Sequence, residues 1–345
     1  MKLRLGLWIG GALLVLLLSA TAALSLGTVH VPLRHVWGIL LHELFGAGDG
    51  APLPWSTAHG QIIWKVRLPR MALGCLVGAA LALAGAGFQG VLRNPLADPY
   101  TLGVSSGASV GAAFLILFGL QYALLGEWTV PAAAFVTGGL TLWAVLALAR
   151  TEGRLRMETV LLAGVVMQAF LGAWVSFLVS MSGEVVNEIV FWMMGSLTMR
   201  GWSYALILIP YLVVGSVVLL AYGRALNLFS LGERQAAHLG VDVERTKLVI
   251  LAASTLITAG AVSVAGVVAF VGLLVPHLLR LLAGPDYRLL LPLSMIGGAV
   301  YVLWADTLAR TLLSPTEIPL GVVTAFLGAP FFAYLLRRRK QAVRG

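Results

Sequence analysis

The chain is expected to be an all-α polytopic membrane protein, about ten transmembrane helices in one bundle, and three observations carry that expectation. First, its 345 residues have a mean hydropathy of +0.95, and 59% are hydrophobic and 11% charged, where soluble domains carry about 25% charge. Second, the apolar residues fall in runs of the length that a hydrocarbon core of about 30 Å demands, about 20 residues as helix. Third, lysine and arginine are sorted between alternate connections. With the amino terminus inside, only Arg34, Lys65, Arg67, Arg70, Arg200 and Arg310 of the 23 fall outside, the asymmetry of the positive-inside rule. The net charge of +9 therefore points to membrane orientation rather than to nucleic acid. Cys75 stands alone, which excludes an intrachain disulfide and a cysteine metal site. No GxxxxGK[ST] stretch is present, so the chain carries no phosphate-cradling loop of its own.

Residues 5–26 form the first run, preceded by Lys2 and Arg4. Ala20-Thr21-Ala22 would suit signal-peptide cleavage; an uncleaved first span is the favoured reading. Residues 28–66 form a long polar outer stretch with Pro32, Pro52 and Pro54. Its His30, His35, His42 and His59 match no ligand spacing, so solvated loop histidines are expected. Spans at 71–88 and 102–125 flank a polar turn with two prolines. Gly74 and Gly78 in the first, and Gly103, Gly107 and Gly111 in the second, repeat every four residues, about one helical turn. Lipid gives helices no hydrophobic reason to associate, so a seam of small residues between these two neighbours is expected.

Spans at 130–149 and 160–180 are joined by a basic link from Arg150 to Arg156. Residues 185–197 are apolar but too short to span, and read as a re-entrant or interfacial helix. A span at 204–221 follows. Residues 248–283 carry almost no charge; as one helix they would measure about 54 Å, so they must cross twice, breaking near 263–266. Spans at 289–309 and 320–336 complete the set.

The inner connection 227–247 has structure of its own. Ser230 and Glu233 fit an S-x-x-E capping box, followed by a short helix over 231–239 that stops at Gly240. Asp242 suits the cap of the next helix. A plain linker needs no capped helix with Leu231, Ala236 and Leu239 available to pack, so a docking element is expected. Asp306 lies inside a span, where a carboxylate is expensive, and is expected to pair with Arg310 one turn on. His277 follows Pro276 and is expected to bond backbone that the proline frees. An ion-coupled secondary transporter using Asp306 or His277 is the rival function, and the capped inner connection favours a partner-driven importer instead. An enzyme lacks support: there is no HExxH, no GxSxG and no close acid pair on one span.

A series of motifs runs along the chain: RLPR at 67–70, NPLADP at 94–99, LGVSSGA at 102–108, LLAG at 161–164, WMMG at 192–195, LGE through HLG at 231–240, FVGLLVPH at 270–277, ADTLAR at 305–310 and PLGVVT at 319–324. In this order they resemble the FecCD family of ABC importer permeases, which includes cobalamin, haem and iron-siderophore permeases, over nearly the whole chain. The resemblance implies a type II ABC importer permease, one permease domain over 1–345 with a coupling loop at 223–247. It implies a homodimer in a bacterial or archaeal plasma membrane with both termini cytoplasmic, and no cofactor. Each copy would dock on an ABC ATPase subunit through Leu228, Ser230, Leu231, Gly232, Glu233, Arg234, His238, Leu239 and Gly240. An extracytoplasmic substrate-binding protein would deliver the chelate, and Arg67, Arg70 and Arg310, placed outside against the charge bias, would dock it. The path would lie between the two permeases, lined by 160–180 and the short helix after it. The family's inner gate falls at Met157 and Glu158, where the cobalamin permease has small hydroxyl residues and this chain departs. An iron-siderophore complex is the default cargo from the breadth of the family, with cobalamin and haem the alternatives.

Overall fold

The computed structural model describes residues 2–46, 54–151 and 154–342. Pro52 of the outer stretch, Glu152 and Gly153 of the basic link, and Arg344 lie outside the described residues. The chain is helical almost throughout: α1 (Lys2–Ser25), α2 (Leu33–Phe45), α3 (Thr57–Gln61), a π-helical stretch Ile62–Arg67 leading into α4 (Leu68–Val91), α5 (Val104–Leu117), α6 (Thr129–Ala149), α7 (Met157–Met181), α8 (Val186–Met193), α9 (Trp202–Ala221), α10 (Gly223–Phe229), α11 (Glu233–His238), α12 (Val243–Ala265), α13 (Val271–Ala283), α14 (Tyr287–Thr311) and α15 (Leu320–Ala342). Between α6 and α7, β1 (Arg150–Thr151) and β2 (Arg154–Leu155) pair antiparallel, Arg150 opposite Leu155.

Among the described residues, 7 helical segments are long and apolar enough to cross a membrane. Three shorter apolar helices, Val104–Leu117, Val271–Ala283 and Leu320–Tyr334, stand at the other expected spans. The expected span at 102–125 is cut short, because Gly119 and Gly126 turn the chain with φ of 65° and 59°. The outer stretch 28–66 is more helical than expected. Val36 and Ile39 of α2 bury against Leu24, Val31 and Ile63, and this apolar face folds the segment onto the start of α4. The break begins within the expected 263–266 and runs on to 270: α12 ends at Ala265, and Gly266 and Phe270 take φ of 72° and 67° before α13 begins.

α4 and α12 form the centre, enclosed on most faces, while α1 and α7 lie at the rim with most of their surface open. The centre depends on small residues. A Cβ on Gly78 would strike the backbone carbonyl of Gly298 on α14, and one on Gly85 the carbonyl of Gly272 on α13. The expected single seam of five glycines is corrected. Gly78 packs against α14 and Gly74 faces Leu197 and Val302, whereas Gly107 and Gly111 pack against Thr141 and Thr137 of α6. Gly103 is the left-handed residue before α5, with φ 75°. Four-residue spacing fixes the face of a helix that closes, not the neighbour it closes on.

Candidate functional site

Functional side chains gather at the two ends of α4, which its 24 residues set about 36 Å apart. At the end holding its carboxyl terminus lie α10 and α11. Asn227 anchors α10: its Nδ2 donates to Asp286 Oδ1 at 2.6 Å, and its Oδ1 accepts from Tyr287 N at 2.8 Å. Burial alone would push the Asp286 carboxyl up, but the bonds from Asn227 and from Arg288 N, with the Arg288 charge, hold it below its ordinary value. The capping box does not form. α11 begins at Glu233 behind Gly232, whose φ is 116°, so Glu233 comes too early in the helix to reach back. Ser230 Oγ instead donates to Asn227 O at 2.6 Å. Two other expectations hold: Gly240 takes φ 86° just past the helix end, and Asp242 caps α12 by accepting from Arg245 N at 3.1 Å. Leu228 and Ala236 face the core, while Arg234 and His238 are exposed and Leu231 and Leu239 are 59% and 60% exposed.

Beneath α11 lies Lys247, on α12, with its side chain 3% exposed. Its Nζ donates to Glu233 Oε2 at 2.7 Å, to Glu244 Oε1 at 3.2 Å and to Leu155 O at 3.1 Å. Glu244 Oε2 accepts from Leu155 N at 2.8 Å. Sequence reading missed this cluster, because nothing in the spacing shows that β2 meets the start of α12. Met157 opens α7 two residues beyond Leu155 and packs half-buried on the core; Glu158 is exposed in the first turn, where a carboxylate suits the helix dipole. Beyond them α7 exposes an apolar face that includes Leu162, Val165, Phe170, Trp174 and Phe177.

The opposite end holds the three arginines expected to meet a docking protein, and all three are largely enclosed by the bundle, Arg67 6% and Arg310 8% exposed. Arg70 reaches Asp306 Oδ1 at 2.8 Å and Glu317 Oε1 at 2.9 Å, its side chain 11% exposed. Thr198 donates to Glu317 Oε2 at 2.6 Å. Arg67 donates to the carbonyls of Leu24 (2.6 Å), Ser25 (3.1 Å) and Val29, and Arg310 to Ala23 O at 2.5 Å. The reason is the end of α1, whose last carbonyls have no intrahelical partner and form the negative end of its dipole. Two guanidiniums close it. Asp306 does meet Arg310, at 3.7 Å, but Arg70 is its nearer partner. Asp306 is thus held by two cations. His277 is buried on α13, its ring 5.7 Å from that of Phe332.

The motif glycines converge where α12 breaks. Gly195 takes φ 73° with its Cα against Val267, and Gly266 lies against the carbonyl of Trp192. Ser196 N donates to Ala265 O at 2.8 Å, and Leu320 N to Gly195 O at 3.0 Å. Asp98 caps the turn at Pro99–Leu102, and Tyr100, thus placed, donates to Val268 O at 3.0 Å and accepts from Val268 N at 3.2 Å. Irregular backbone at membrane depth needs such protein partners. NPLADP, WMMG and PLGVVT are therefore three sides of one support.

Among the described residues, 7 helices long and apolar enough to cross a membrane and three shorter apolar ones, with the short helices α10 and α11 set between α9 and α12, define a multi-pass membrane protein. The chain belongs to the FecCD transport family, whose model matches residues 13–338. It is 44% identical over 331 residues to the cobalamin import system permease protein BtuC of Halobacterium salinarum, covering 95% of this chain and 88% of that one. It is 39% identical over 298 residues to the hemin transport system permease protein HmuU of Yersinia pestis, covering 84% and 89%. A solved structure described as a metal-chelate type ABC transporter in an inward-facing conformation superposes with a TM-score of 0.81 at 33% identity, covering 96% of this chain and 98% of that one. The chain is a permease subunit of an ABC importer of the metal-chelate class, a multi-pass protein of the plasma membrane.

Proposed function

We propose that two copies of this permease enclose a path for a large metal chelate, with an iron-siderophore complex the first candidate and cobalamin and haem the others. One observation supports the coupling half of this reading: α11 buries Ala236, and Leu231 and Leu239, flanking its two ends, are more than half exposed. Apolar side chains held outward at the ends of a docked helix suit a protein groove, here that of a cytoplasmic ABC ATPase. α7 and α8 line the path, and Met157 with Glu158 forms its inner gate. A substrate-binding protein delivers the chelate to the far end, where the buried arginines shape the surface and exposed groups make the contact. Both termini lie in the cytoplasm.

The test is reconstitution with the ATPase and binding protein in liposomes. Uptake of ferric siderophores, cobalamin and haem is compared, with binding of the same panel to the isolated binding protein. ATP-dependent uptake of a ferric siderophore alone is the expected result; selective uptake of cobalamin or haem replaces that cargo. Uptake driven by an ion gradient without ATP overturns the importer reading.

A further inference from the structure

We propose that Lys247 is the positioning residue that carries movement of α11 to the inner gate; the inference rests on the coupling reading above. An ammonium has three donors, and here each holds a different piece of chain: Glu233 at the start of α11, Glu244 at the start of α12, and the carbonyl of Leu155 on β2. Glu244 takes the amide of the same Leu155. Both backbone groups of Leu155 are thus held by one ion pair. Leu155 is itself 5% exposed, so its side chain fixes it further. Arg156, the next residue, is the cap of α7, its carbonyl accepting from Val160 N at 3.0 Å. Met157 follows at once. The route from α11 to the gate is therefore Glu233, Lys247, Leu155, Arg156, Met157, with one ion pair and one hydrogen bond to a carbonyl at its head and covalent chain at its tail.

The arrangement is suited to transmission and ill suited to plain anchoring. A core anchor would bury both partners, yet Glu233 and Glu244 stay 36% and 41% exposed around a cation that is 3% exposed. When an ATPase moves α11, Glu233 moves with it. Lys247 either follows, pulling on Leu155, or shifts its bonds to Glu244. In both cases the strand leading to α7 feels the change, because Glu244 and Lys247 hold the amide and the carbonyl of one residue, Leu155. Coupling carried by an element with two arrangements is the physical requirement for such a relay.

The test uses the full transporter in liposomes and measures chelate taken up per ATP hydrolysed. Lys247→Met is expected to assemble and hydrolyse ATP while uptake per ATP falls about tenfold. Lys247→Arg is expected to keep most of the ratio, and Glu233→Gln to lie between. A charge exchange, Lys247→Glu with Glu233→Lys, is expected to leave the ratio low, since Leu155 O then loses its donor. A wild-type ratio in Lys247→Met overturns the proposal. So does a lower yield of Lys247→Met complex whose uptake per ATP stays at the wild-type value, because the residue is then structural. Should Lys247→Met give no complex at all, Glu233→Gln decides by the same ratio. If the wild-type chain binds no ATPase at all, the coupling reading fails, an outcome distinct from either of these.

Discussion

Two buried cations hold opposite ends of the bundle, and the difference lies in the acids around them. Arg70 sits beside Asp306, whose side chain is 6% exposed, and Glu317, at 33%. Lys247 is buried more deeply, its side chain 3% exposed against 11% for Arg70, but its acids are 36% and 41% exposed. Taking the cation away from an enclosed carboxylate strands a charge; taking it away from a rim carboxylate releases that charge to water. The first end is therefore fixed, and the second can exchange contacts at modest cost.

Arg70→Met gives the largest effect. It leaves the buried Asp306 only the longer contact to Arg310, at 3.7 Å, removes the ion-pair partner of Glu317, and is expected to cost about 3 kcal/mol, read as a steep fall in thermal midpoint or recovery of detergent-solubilised protein. Lys247→Met should cost far less, and equal losses would erase the distinction between the ends. Next comes Arg67→Met, which uncaps the carbonyls of α1. Losing hydrogen bonds from a charged donor is expected to cost about 1.5–3 kcal/mol and to expose α1 to protease near Ser25.

Acid sharpens the comparison further. Burial alone would push the Glu317 carboxyl up, but hydrogen bonds from Arg70 and Thr198 and the Arg70 charge hold it below its ordinary value. A folded-state value below the unfolded one contributes stability above the unfolded value and loses it as pH falls through the folded one. Melting curves of the wild type should therefore drop at the acid end, and Glu317→Gln should flatten that drop. Smallest of all is Ser230→Ala. With no capping box, it removes only a local bond to Asn227 O and is expected to change stability by less than about 0.5 kcal/mol. A loss near 1 kcal/mol would show that the box forms after all.

The spans were legible because hydrocarbon thickness sets their length, and the same arithmetic called for the break within 248–283 that separates α12 from α13. The family motifs were legible as strings, but their meaning was not. Gly195 and Gly266 look like separate punctuation until the fold sets them back to back. The arginines show the same limit. Arg67 and Arg310 break the charge bias, which is visible in sequence, but the carbonyls of Ala23 and Leu24 that they answer are backbone and leave no sequence signal. Lys247 was counted as one inner charge among many, since its partners lie 3, 14 and 92 positions away.

The break between α12 and α13 also bears on how the protein is made. The 13 residues of α13 extend about 20 Å, too little to cross about 30 Å of hydrocarbon alone. When this stretch leaves the ribosome, the hydroxyl of Tyr100 and the amide of Gln89, which meets the carbonyls of Gly272 and Leu273 at 3.2 Å, have already been synthesised. Leu320, which seals Gly195, has not. The order of translation thus supplies a receptor before the segment that needs it, and the lock only afterwards; a chain truncated before 320 should integrate α13 and leave that joint open.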